Sequence, residues 1–255
     1  NEQTGTGILA LSTFGPVTAG LGYFNNSNLN NSSEINLSQG LGLSGNFYNV
    51  NRPVFLDQRT WEFDPQGANG LVNGGSDIYV ATVQGDLDFV KLEAWYLGMQ
   101  DTFSSYTLAA TSNIDLAENA KLGLEARYVN LKLDQDAANR INSNTLNTET
   151  KNDMFRFAVD GKFSIVNARL AYTMTGDKGN GLTALDQDAK NTSLGWGITS
   201  NGVANADYYQ AALGADILDN LNFTVHYGNL KSKDSDYGLD IKQQEVYGQL
   251  TYKMS

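Results

Sequence analysis

Eight charged side chains carry most of the chemistry that this sequence offers: Lys91, Glu93, Glu125, Arg127, Arg156, Asp160, Lys162 and Arg169. Each stands between apolar or glycine neighbours, as in Leu124-Glu125-Ala126-Arg127-Tyr128 and Phe155-Arg156-Phe157. In extended chain that alternation puts the charges on one face and the apolar groups on the other. Charges of both signs along one wall make local fields that orient and sort a charged solute. The same residues also suit a plainer use, as cross-strand pairs that neutralise one another and merely wet the wall. Arg127, Arg156 and Arg169 come on successive strands and are the first candidates for direct selectivity.

Other chemistry is sparse. The chain has no cysteine, which rules out disulfides and thiolate metal sites, and one histidine, His226, set between Val225 and Tyr227 on a polar phase. No serine motif or second histidine accompanies it, so acid–base catalysis lacks a partner. Asp177, Asp186 and Asp188, and further on Asp234 and Asp236, offer oxygens to calcium, yet none belongs to a complete ligand loop. Gly195-Trp196-Gly197 reads equally as the tip of an inserted constriction or as ordinary loop packing.

The elements that must hold these residues are strands. From Met154 to Thr175 the period is two on both sides of a Ser164-Ile165 turn, with Phe155, Phe157, Val159 and Phe163 facing one way and Leu170, Tyr172 and Met174 continuing that face. Similar pairs run over 7–24 around Gly15-Pro16, over 77–99 around Gly85 to Asp88, over 106–128 around Ala117 to Asn119, and over 209–227 around Leu218 to Asn220. Val246 to Met254 closes the chain. Residues 35–64 keep no single phase, although Val54 to Phe63 suits one more strand, which brings the count to 12 or 13. After Tyr128 the apolar phase passes to Val129, Leu131 and Leu133, which predicts a bulge or the stem of a loop outside a membrane. Asp134–Asp153 and Gly176–Asp207 read as loops.

Short turns alternate with longer connections, and Tyr96, Tyr106, Tyr128, Phe155, Tyr172, Tyr209 and Tyr227 gather beside the longer ones. That asymmetry, with an aromatic girdle, predicts an all-β, transmembrane, antiparallel up-and-down β-barrel of the bacterial outer membrane, one domain over residues 1–255. No apolar run approaches the roughly 20 residues that a membrane-spanning helix needs. A negative mean hydropathy does not count against a barrel, since only every second residue meets lipid. The net charge of −11 disfavours nucleic-acid binding and favours cations. The polar opening, Asn1-Glu2-Gln3-Thr4, has no features of a signal peptide, which implies a processed chain or an internal piece. A soluble all-β adhesin or carbohydrate-binding protein is the alternative, and a barrel enzyme such as a lipase is disfavoured.

Three stretches resemble the OprD-type family of substrate-selective porins and the related major outer membrane porin of Campylobacter-like bacteria. They are Tyr96-Leu97-Gly98-Met99-Gln100-Asp101-Thr102-Phe103 leading to Tyr106, Leu122-Gly123-Leu124-Glu125-Ala126-Arg127-Tyr128, and Ala171-Tyr172-Thr173-Met174-Thr175-Gly176-Asp177. The resemblance spans somewhat under half of the chain. It implies a larger barrel of 16–18 strands, a loop folded into the lumen, and passive diffusion of ions and small hydrophilic solutes without a cofactor. It also implies lipid and lipopolysaccharide around the barrel and a homotrimer. The low strand count and a terminus, Tyr252-Lys253-Met254-Ser255, without the family's final aromatic imply further sequence at the ends or within the chain.

Overall fold

The computed structural model describes residues 5–25, 76–141, 149–179, 181–184, 190–234 and 239–254. The strand expected at Val54–Phe63, the Asn-rich stretch after Asn25 and the calcium candidates Asp186 and Asp188 lie outside them. Eleven strands form one antiparallel meander in which every strand pairs with its neighbours in sequence. They are β1 (Thr6–Phe14), β2 (Val17–Asn25), β3 (Ile78–Leu87), β4 (Val90–Met99), β5 (Phe103–Ala117), β6 (Ala120–Leu133), β7 (Lys151–Phe163), β8 (Val166–Thr175), β9 (Ala206–Leu218), β10 (Leu221–Asp234) and β11 (Leu239–Tyr252). Among the described residues this is the whole strand inventory, against the 12 or 13 expected.

All the two-residue turns fall at one end of the sheet, while β4 and β5 join at the other end through three residues, Gln100 to Thr102. Gly15, Asp88 and Ser164, each the first residue of a two-residue turn, have φ of 57°, 43° and 52°. A positive φ there twists the hairpin in the sense that the flanking strands require. Ser164 carries the steric cost of that conformation, about 1–2 kcal/mol for a side chain with Cβ. Ser164→Gly is therefore expected to stabilise the folded chain by roughly 0.5–1 kcal/mol after the added freedom of the unfolded glycine is subtracted. Equilibrium unfolding in urea from detergent micelles measures it, and a destabilised variant would refute the turn assignment.

At the other end the strands continue into longer connections. β6 keeps an unshifted register with both β5 and β7 from Leu122 to Leu131. The expected bulge at Tyr128 is thus absent, and its alternative, a stem beyond the apolar band, fits. Val129, Leu131 and Leu133 stay on the face of Arg127, and that face turns apolar because something covers it. The cover is a short helix, α1 (Gln135–Ile141), within the stretch expected to be loop. Asp134 caps it, its Oδ1 accepting the Asp136 N–H at 3.0 Å. Ala137 and Ala138 then pack with Met99, Phe103, Leu131, Leu133 and Leu182 in a small apolar core.

Burial across the wall is inverted relative to a water-soluble sheet. Leu170 and Leu213 are 66% and 63% exposed, whereas Arg156 and Gln210 are 2% and 4% exposed. The face bearing Leu108, Tyr128, Phe157, Leu170, Leu213 and Val225 is a continuous apolar band, far beyond the patches that water-soluble monomers tolerate.

Candidate functional site

All eight charged residues singled out in the sequence lie on the face opposite that band. The register joins them in rows: Glu93, Ala109, Arg127 and Arg156 in one across β4 to β7, and Asp160 beside Arg169 in another. Every one is in an ion pair. Lys91 meets Glu93 at 3.2 Å, Lys162 meets Asp216 at 2.8 Å and Arg169 meets Asp160 at 2.6 Å. Glu125 serves two arginines, Arg127 at 3.3 Å and Arg156 at 2.5 Å.

Onto this face folds the connection between β8 and β9, in its described residues 176–179, 181–184 and 190–205. It is fixed at two places. On the side of β5 to β7, one Arg156 Nη1 donates to the carbonyls of Lys190 (2.8 Å) and Thr192, while its Nε and Nη2 hold Glu125. Next to it, Arg127 Nη1 donates to Asn191 Oδ1 at 3.2 Å, and Asn191 Nδ2 donates to Thr107 Oγ1 at 2.9 Å. Burial of Arg156 beneath these carbonyls means that it does not reach open water, contrary to the expectation from alternation. Its face was legible, but the loop that covers it was not.

The second fixing point is Glu245 on β11. Its carboxylate accepts the N–H groups of Trp196 (3.1 Å), Gly197 (2.7 Å) and Ile198 (3.2 Å), and the Tyr208 hydroxyl at 2.8 Å. Three successive amides on one carboxylate form a charge-assisted cradle. Space for it comes from Gly195 and Gly228, since a Cβ at either would strike the Tyr208 hydroxyl or Glu245. Gln210 Nε2 adds a bond to the Leu194 carbonyl at 2.5 Å. Ile198, Val203, Ala206, Tyr208, Leu230 and Ile241 close a second apolar core at the base of the connection. Gly195-Trp196-Gly197 is therefore part of the inserted segment.

Sequence reasoning missed Glu245 and Tyr208. Both follow the polar phase, Glu245 just before Val246 and Tyr208 just before Tyr209. An aromatic on a polar phase was the available signal. Trp95, on the same face, shows that such a ring finds a polar partner: its Nε1 donates to Glu93 at 3.1 Å.

Towards the tight turns the face is open. A cleft of about 630 Å³ is lined by Lys121, Asp160, Lys162, Arg169, Thr224, His226 and Gln249 among others. His226 stacks on Tyr247, with ring centroids 4.4 Å apart, and contacts Gln249 Oε1 at 3.2 Å. Among the described residues no group of three His, Cys, Asp or Glu side chains is placed to hold a metal ion, and Asp177 is exposed.

No protein-family model matches the chain, and neither does the sequence of any curated protein. Solved structures do match. OccK8 (OprE) of Pseudomonas aeruginosa superposes with a TM-score of 0.69 at 14% identity, over 98% of this chain and 62% of that one. OccK5 (OpdH) of the same organism gives 0.67 at 10%, over 99% and 61%. OprD, also from Pseudomonas aeruginosa, gives 0.63 at 15%, over 99% and 59%. The chain thus spans about three fifths of the length of these structures. A match over nearly the whole meander, at identities this low, makes its fold that of the OprD/Occ porins.

Proposed function

We propose that this chain forms the greater part of an outer-membrane porin of a Gram-negative bacterium, passing ions and small hydrophilic solutes by passive diffusion. The observation that carries the reading is the inverted wall: an apolar band outside, and inside it a charged face narrowed by its own connection. A soluble adhesin or carbohydrate-binding sheet would leave that band in water. The reading involves no enzymatic step and no cofactor, and any calcium held by Asp177, Asp186 and Asp188 would be structural.

Lys91, Glu93, Glu125, Arg127, Arg156, Asp160, Lys162 and Arg169 are the proposed set along the pore wall: Arg127 and Arg156, 6% and 2% exposed, act through the connection they hold, and Arg169 and Asp160, 39% and 44% exposed at the side chain, meet solution. Cation preference rests on the net charge of −11, which raises the local cation concentration at the pore mouths. Closure into a larger barrel is part of the proposal. β1 and β11 run in the same direction, so an antiparallel seam takes an odd number of further strands. Five or seven added to these eleven give the 16–18 that the resemblance implies. A nearer kinship to the Campylobacter-type porin rests on the three resembling stretches, and lipopolysaccharide contact and a homotrimer rest on the same likeness.

The absence of cysteine makes a clean test available in planar bilayers. Arg169→Cys should be modified by a charged, water-soluble thiol reagent, with a fall in single-channel current. Leu170→Cys, one residue on, should stay inert, because a thiol in lipid remains protonated and out of reach. Equal reactivity of the two, or no current at all, would remove the pore reading. A reversal potential in a salt gradient that showed anion preference would remove the charge argument alone.

A further inference from the structure

Trp196 is 74% exposed although it sits on the inner side of the wall. Its backbone N–H is held by Glu245 at 3.1 Å, and its indole meets the Tyr247 ring edge-on at 5.1 Å. Tyr247 in turn lies flat on His226, at an interplanar angle of 8°. Three rings thus descend from the inserted connection to the rim of the open cleft, and the topmost leaves a face bare. Tyr247, His226, Ala212 and Arg169 occupy one cross-strand row of β11, β10, β9 and β8. Ala212, small in that row, leaves room between the histidine and Arg169, which is paired with Asp160.

Charge decides what such a place suits. The charged groups of the cleft are already matched, Arg169 with Asp160, Lys162 with Asp216 and Lys121 with Asp115, and the remaining titratable group, His226, is held between Tyr247 and Gln249. An ionic solute entering there gains no uncompensated partner and still loses hydration. A neutral polyhydroxylated ring loses far less, can exchange its water bonds for carboxylate, guanidinium and amide partners, and can lay its C–H face on an aromatic plane. The cleft below the rings, lined by His226, Arg169 and Asp160 but not by Trp196 or Tyr247, has about 630 Å³, the size that small-molecule sites have, so a solute leaving the Trp196 face enters it next.

We propose that Trp196, stacked through Tyr247 onto His226 above the Asp160–Arg169 pair, is a sugar-binding subsite that takes a neutral pyranose during passage. The proposal rests on the pore reading for its place in transport, but binding itself can be measured without transport. The full chain in detergent is titrated with glucose, and with sorbitol, which carries similar hydroxyls but no ring face, while tryptophan fluorescence is followed. The same two solutes are then added to single channels in a planar bilayer.

Glucose should change the fluorescence and reduce the current in a saturable way, and sorbitol should do neither. Trp196→Ala should raise the glucose concentration for half-block about tenfold, the scale of one lost ring contact. Trp196→Phe, which keeps a ring at that place, should retain most of the block and guards against misreading a folding defect. Equal responses to glucose and sorbitol, or an alanine variant blocked like the parent, would overturn the subsite. Current with no glucose response overturns the subsite and leaves the pore standing. A glucose-dependent fluorescence change in a chain that carries no current supports the subsite and overturns the pore.

Discussion

Replacing Arg156 by alanine is expected to raise the unitary conductance and make it noisy, because it frees the inserted connection at its strongest anchor. The guanidinium makes two bonds to Glu125 and two to loop carbonyls, and is 2% exposed. Truncation leaves Glu125 with Arg127 alone and strips the Lys190 and Thr192 carbonyls of a charged donor. Breaking one partner out of a buried pair costs about 3–5 kcal/mol. That exceeds what a loop can lose while still holding one position, so the segment around 190–192 should sample open states. Arg156→Lys should recover only part of the effect, since an ammonium is a single point of donation and cannot span a carboxylate and two carbonyls as the planar fork does. Single-channel recording of the three proteins measures this. A parent-like conductance in Arg156→Ala would mean that the connection does not set the pore's width.

The second large effect is expected at Glu245. Glu245→Gln keeps the shape but replaces one acceptor oxygen with an N–H₂ group that faces the Trp196, Gly197 and Ile198 amides. Hydrogen bonds to an ionised group contribute about 1.5–3 kcal/mol each, and here several converge on one carboxylate. A loss of about 2–3 kcal/mol in holding the segment is the expected scale, read as flicker between two current levels. Tyr208→Phe removes one of the four donors and should have a smaller effect. Arg156 and Glu245 hold the two stretches of a single connection, so the double variant should show less than the sum of the two single effects. Full additivity would show that each anchors a separate, independently moving piece.

The hairpins were plain in the sequence because the period of two is local. Leu170 and Arg169 differ in face by virtue of being adjacent, and no distant contact is needed to know it. Gly15-Pro16, Ser164-Ile165 and the other two-residue turns mark one end of the sheet in the same local way. The same reasoning misled at Tyr128. A change of apolar phase there looks like a slip in register, yet the register is unbroken from Leu122 to Leu131. What changes is the neighbour: α1 and Leu182 arrive over the inner face, and Leu131 and Leu133 turn towards them.

By itself the sequence determined that this is a wall with one apolar and one charged face, which residues belong to each, and which end carries the tight turns. Only the tertiary structure decided what the charges do. Arg156 meets Glu125 across 31 residues of chain and Glu245 meets Trp196 across 49, distances over which periodicity carries no information. A strand's alternation tells which way a side chain points, but what it meets depends on which segment folds back over it. Here the returning connection covers Arg127 and Arg156, seats itself on Glu245, and leaves Arg169 and the face of Trp196 uncovered.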